Sequence, residues 1–135
     1  MVSIVAPNNS GKSTYATNHP AWIDHDVLLL NELGMGPQNA MSKADMVAAD
    51  GVTLKHKRTG DRMLVATWWN IALVDAFVII PKTTMQKRLA DGTLTRSQFD
   101  EAQRQAGTYQ RLATANNKLI LPSFAAADAL FGMLD

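Results

Sequence analysis

The stretch Val2-Ser-Ile-Val-Ala-Pro-Asn-Asn-Ser-Gly-Lys-Ser-Thr14 constrains the fold more than any other part of the chain. An apolar run suited to a buried parallel strand passes directly into a polar loop and a helix start. Ala6-Pro-Asn-Asn-Ser-Gly-Lys-Ser13 follows the pattern Gly-x-x-x-x-Gly-Lys-Ser/Thr except at its first position, where alanine replaces glycine. In such a loop successive backbone N–H groups point inward as an anion nest, and the helix opening near Lys12 adds the positive end of its dipole. Asn8, Asn9, Ser10, Gly11, Lys12, Ser13 and Thr14 are therefore the candidate contacts to the phosphates of ATP. Lys12 is expected to reach the β- and γ-phosphate oxygens, Ser13 to ligate Mg²⁺, and Gly11 to let the backbone come close. Ala6 cannot take the positive φ open to glycine, so the turn that starts the loop is expected to differ slightly.

A chain of 135 residues makes one domain, spanning 1–135, with little room for an accessory one. Its 47% hydrophobic and 19% charged residues fit a globular fold. Thirteen basic against twelve acidic side chains leave a net charge of +1, so no global field draws nucleic acid or an anionic membrane. The absence of cysteine excludes disulfides and thiolate metal sites. No apolar run reaches the roughly 18 residues of a membrane span, and no basic segment precedes the first apolar stretch. A cytoplasmic protein without membrane attachment is the expectation.

Strand and helix signals alternate along the chain. Val2 to Ala6, Ala21 to Asp24, Met63 to Trp68, Phe77 to Ile80 and Leu119 to Leu121 read as strands. Helices are expected at Lys12 to Asn18, Val27 to Leu33, Thr84 to Ala90, Arg96 to Ala115 and Phe124 to Leu134. Ser42 with Asp45 forms a capping box for a short helix ending at Asp50-Gly51, and Thr95 with Gln98 forms another. Val52 to Lys57 is strand-like and could pair with Met63 to Trp68 as a hairpin, although the latter is better placed as a central strand. Asn70 to Asp75 reads as a helical turn or two. On the longest helix Phe99, Ala102, Ala106, Tyr109 and Leu112 define one apolar face. The sum is an α/β three-layer sandwich: a parallel sheet of about five strands with helices on both faces. Ligands of such sheets sit beyond the carboxyl ends of the strands.

That rule gathers the Gly-Lys-Ser loop, Asp24-His25-Asp26 and Trp68 to Asn70. Two carboxylates one residue apart at a strand end can serve one pocket, with Asp24 on the metal side and Asp26 orienting or deprotonating an attacking hydroxyl. The plainer alternative is that both cap the following helix. His25 is expected to be exposed rather than a ligand.

The loop, the Trp22-Ile-Asp-His-Asp26 stretch and the late Tyr109-Gln-Arg-Leu-Ala113 helix resemble the small P-loop kinases. That group includes shikimate, gluconate and nucleoside monophosphate kinases and the polynucleotide kinase domain. The resemblance implies a phosphotransferase in which Asp24 and Asp26 match the acidic pair after strand two. It also places Arg88 and Arg96 where these families carry lid arginines around the transferring phosphate. The chain lacks a Gly-Gly-Gly after strand three and an Arg-Pro lid motif, so shikimate specificity is not implied. Asp61-Arg62 is followed by Met63, not by the tyrosine of thymidylate kinases.

Lys55, His56, Lys57, Arg58 and Arg62 form the one local basic cluster, in the segment where this group inserts its acceptor-binding part. Arg58 and Arg62 could hold a phosphorylated acceptor, or the cluster could be a solvated hairpin tip. Trp68 could stack a base or pack in the core. The Leu-Ser-Gly-Gly-Gln signature of transporter-type ATPases is absent, as are the Asp-x-x-Gly and Asn-Lys-x-Asp elements of GTPases. The expected function is transfer of the ATP γ-phosphoryl group to a small acceptor, first a nucleoside or deoxynucleoside monophosphate. The alternatives are a nucleic-acid, modified-base or metabolite hydroxyl, and a non-catalytic ATP-binding module.

Overall fold

Five short strands pair in parallel throughout, in the order β2-β3-β1-β4-β5. The computed structural model describes residues 2–34, 42–60, 62–65 and 70–132. The strands are β1 (Ser3–Val5), β2 (Trp22–Asp24), β3 (Arg62–Val65), β4 (Ala76–Val78) and β5 (Leu119–Leu121). The helices are α1 (Lys12–Asn18), α2 (His25–Leu33), α3 (Lys43–Thr59), α4 (Lys82–Ala90), α5 (Arg96–Ala115) and α6 (Phe124–Gly132), with a 3-10 turn at Ile71–Leu73.

Handedness and strand order together explain the layers. The β1-to-β2 crossover moves toward one edge of the sheet and the β2-to-β3 crossover moves back, so right-handed connections put α1 and the α2–α3 pair on opposite faces. Alternation then sorts the core. Ile4, Leu64, Ala76 and Val78 face α1 and α6, meeting Met85, Phe99, Phe124, Ala127 and Phe131. Val5, Val65 and the fully buried Phe77 face the other way, onto Tyr109 and Ala113 of α5. Leu28 of α2 and Val52 of α3 pack with Ile23.

The three-layer α/β architecture, the central position of β3, and both capping boxes agree with the sequence reading. Two elements differ. Val52 to Lys57 is not a strand: α3 runs unbroken through Asp50-Gly51 for 17 residues. Ala49, Val52 and Thr53 are buried at helical spacing, and that tertiary burial overrides the β-branched character of the segment. On α5 the inward position near the end is Ala113, while Leu112 is exposed. Trp68, and the end of the Met63 to Trp68 strand, lie outside the described residues. Among the described residues no helix is long and apolar enough to cross a membrane.

Gly51 lies mid-helix, and a Cβ built there meets nothing within 4 Å. Gly51→Ala should therefore stabilise the protein by up to about 1 kcal/mol, as read by urea denaturation. A loss of stability would mean that the chain breaks at Gly51.

Candidate functional site

Period-two alternation decides where the acids of β2 point. Trp22 packs on the α1 side of the sheet, so Asp24, two residues on, projects to the same side and meets the start of α1. The Ser13 hydroxyl donates to Asp24 Oδ2 at 2.8 Å. The Lys12 ammonium, on a side chain only 8% exposed, donates to Asp24 Oδ1 at 2.9 Å and to Asp26 Oδ2 at 3.1 Å. Asp24 is also the N-cap of α2, accepting from the Asp26 backbone N–H at 3.0 Å. Burial pushes the Asp24 carboxyl up. Lys12, the Ser13 hydroxyl and the Asp26 amide outweigh that and hold it below its ordinary value.

The loop between β1 and α1 is shaped by two left-handed residues, Asn9 (φ 65°) and Gly11 (φ 92°). Asparagine tolerates that conformation, and glycine takes it without strain. Ala6 stays outside the left-handed region; its N–H extends the ladder to Val65 O at 2.9 Å and its methyl is buried. Alanine therefore suffices where the sequence pattern has glycine.

Helix α5 grips this loop from above. The Asn8 N–H donates to Gln105 Oε1 at 2.6 Å, Asn8 Nδ2 to Glu101 Oε1 at 3.4 Å, and Asn9 Nδ2 to the Gln98 carbonyl at 3.3 Å. Gln98, Glu101 and Gln105 are spaced by three and four residues and form one row on the helix. From the end of α4, Arg88 Nη1 donates to the Ser10 carbonyl at 3.1 Å. The same nitrogen lies 3.9 Å from where a Cβ on Gly11 would sit.

Two cavities adjoin the loop. One, of about 360 Å³, is lined by Asn8, Asn9, Gly11, Lys12, Ser13, Thr14, Asp26 and Glu101. The other, of about 470 Å³, continues past Gly11 and Thr14 to Tyr15, His19, Arg88, Leu94 and Phe124. Tyr15 stacks on His19 at 3.8 Å and leans on Phe124 at 5.3 Å, so one wall of this second cleft is aromatic.

The loop residues 8–14, Asp24, Asp26 and Arg88 thus come together at the carboxyl end of β1. Arg96 does not join them: it is exposed on α5 and paired with Asp100 at 3.1 Å. Arg58 lies in the last turn of α3 and Arg62 at the amino end of β3, the opposite end of the sheet from the loop. There Arg62 binds Asp128 at 2.7 Å and covers the Trp22 ring, while the neighbouring Lys57 pairs with Asp75 before β4. The basic cluster is therefore part of the scaffold below the site.

His25 is buried rather than exposed. The residue is 4% exposed, and Nε2 lies 2.9 Å from Thr53 Oγ1. The Thr53 hydroxyl donates its own proton to the Ala49 carbonyl at 3.1 Å, so it accepts from His25, and the imidazole proton sits on Nε2. The bond ties the start of α2, between the two acids, to α3. Tyr15, His19 and Phe124 were missed because their cleft forms only when α1, α6 and the α4–α5 link meet. Glu101 and Gln105 had a faint signal, a polar row flanking the apolar face of α5.

Burial pushes His25 down to about 4, against the pull of Asp26 and Asp24 and with the push of Lys12 and His56. The unfolded chain then binds the extra proton near pH 6.5 and the folded one does not, so stability is fully present above that pH and falls toward pH 4. The contribution is on the order of 3 kcal/mol. Thermal unfolding midpoints should drop between pH 6.5 and 4, and His25→Gln should flatten that slope; an unchanged slope would refute the assignment.

No protein-family model matches the chain, and comparison with curated proteins gives no match.

Proposed function

We propose that the protein is an ATP-dependent phosphotransferase that moves the γ-phosphoryl group of ATP to the hydroxyl of a small acceptor. The observation that carries this reading is the convergence of Lys12, Ser13, Asp24 and Asp26 in one hydrogen-bonded cluster beside the 360 Å³ cavity. The resemblance of the loop and acid pair to small P-loop kinases points the same way.

In this reading the loop amides cradle the β- and γ-phosphates, and Lys12 exchanges its carboxylate partners for phosphate oxygens. Ser13 and Asp24 are the residues that would hold Mg²⁺, which neutralises phosphate charge during transfer. A hydroxyl and a carboxylate brought 2.8 Å apart at the loop are hard oxygen donors of the kind that Mg²⁺ takes. Asp26, freed from Lys12, accepts the proton of the acceptor hydroxyl as its oxygen attacks phosphorus and the bond to the β-phosphate oxygen breaks, releasing ADP. Arg88, across the loop on Ser10, is the guanidinium that would stabilise developing charge on that flank. The aromatic cleft of Tyr15, His19 and Phe124 takes the nucleoside.

Labelled ATP with Mg²⁺ and a panel of hydroxylated acceptors tests the reading. Asp26→Asn should lower transfer by about 10²- to 10⁴-fold while ATP affinity stays within a few-fold. Lys12→Ala should weaken ATP binding itself. Full transfer by Asp26→Asn would remove Asp26 from the mechanism, and ATP binding with no transfer to any acceptor would leave a nucleotide-binding module.

A further inference from the structure

Beside the apolar contact of Leu28 with Val52, where α2 packs on α3, lies a polar pair sealed from solvent: His25, one turn before Leu28, and Thr53, next after Val52. An apolar pair of the same shape would pack there and leave no polar group to satisfy. The Thr53 hydroxyl adds nothing to the ladder of α3 by donating to the Ala49 carbonyl four residues back. Its distinctive contact is the one it accepts, from His25 Nε2 at 2.9 Å. Neither residue lines the cavities at the loop.

What the pair fixes is direction. His25 is the first residue of α2 and Asp26 the second, and successive helix residues are turned by about 100°. With the imidazole held on α3, the Asp26 carboxylate points to Lys12 and the 360 Å³ cavity. A carboxylate about 5 Å from a helix axis moves by about 1 Å when the helix turns by about 10°. A misplacement of that size lowers a catalysed step by up to about 10²-fold. In the proposed reaction Lys12 leaves both acids for phosphate oxygens, so its grip on Asp26 is lost when that carboxylate is needed. The bond from His25 to Thr53 includes none of the groups that exchange, and it persists.

We propose that Thr53, acting through His25, is a positioning residue that aims the Asp26 carboxylate at the acceptor hydroxyl once Lys12 has left it. The inference rests on the phosphotransferase reading and extends its machinery to α3.

The test measures transfer from labelled ATP with Mg²⁺ to nucleoside monophosphates, adenosine and glucose, the fastest of these serving for the variants. Thr53→Val keeps the side-chain shape and removes the acceptor for His25; kcat should fall about tenfold or more, with ATP affinity within about twofold. Thr53→Ser keeps the hydroxyl and should hold kcat within about twofold. In an Asp26→Asn background Thr53→Val should lower kcat no further, because the carboxylate it aims is already gone. A role confined to stability would lower both backgrounds alike. Should Thr53→Val fail to fold, His25→Leu with Thr53→Val leaves no orphaned polar group and should fold with the same low kcat. Independently of turnover, the Nε2–H proton of ¹⁵N-labelled His25 should stay visible by NMR when ATP and Mg²⁺ are added, and disappear in Thr53→Val. Wild-type kcat in Thr53→Val or the double variant overturns the inference and leaves the phosphotransferase reading standing. So does an equal fall in the Asp26→Asn background, or loss of the Nε2–H signal on ATP binding. ATP binding with no transfer to any acceptor overturns both.

Discussion

A single ammonium group holds the site together. Lys12 is nearly sealed from solvent and bridges carboxylates at the end of β2 from the start of α1, although β3 lies between β1 and β2 in the sheet. A buried cation without partners is strongly disfavoured, and so is a half-buried pair of acids. Each side therefore fixes the other, and Ser13 and the Asp26 amide complete the satisfaction of Asp24. The arrangement is poised for exchange, because the oxygens that Lys12 now binds can be replaced by other anionic oxygens without leaving it unpaired.

The negative surroundings of that lysine distinguish the cavity from the rest of the surface. The net charge of the whole chain is close to neutral, and its cations are largely met by acids. Lys55 and Lys57 of α3 and Arg62 of β3 are held by Glu32 of α2, Asp75 before β4 and Asp128 of α6, where they brace the scaffold. The carboxylates Asp26 and Glu101 remain at the carboxyl ends, around the loop.

Local rules made much of this legible. The bounds of α1, α5 and β5 follow from capping residues, helix periodicity and breakers, all of which act within a few residues. Asp24, Asp26 and the loop were legible as a constellation because strand ends in a parallel sheet gather at one side. Helix α3 was misread at Val52 and Thr53, whose β-branched side chains are inward-facing helix positions against α2. Nothing local says that α2 will be there to cover them. Arg58 and Arg62 were offered as acceptor contacts because the resemblance puts an acceptor-binding segment there, with a solvated tip as the alternative, but the end of α3 and the start of β3 place them at the far end of the sheet. The contacts of Asn8 with Gln105 and Glu101 span more than ninety residues and have no local signature at all.

Those long-range contacts couple two regions that differ in character. The first half of α5 meets the loop through polar side chains, whereas Tyr109 and Ala113 in its second half are sealed against Val5 and Phe77 on the other face of the sheet. Packing of the second half of α5 therefore helps to hold the first half over the loop. The loop and that layer should behave as one cooperative unit, and the resting shape of the loop persists for as long as α5 stays seated.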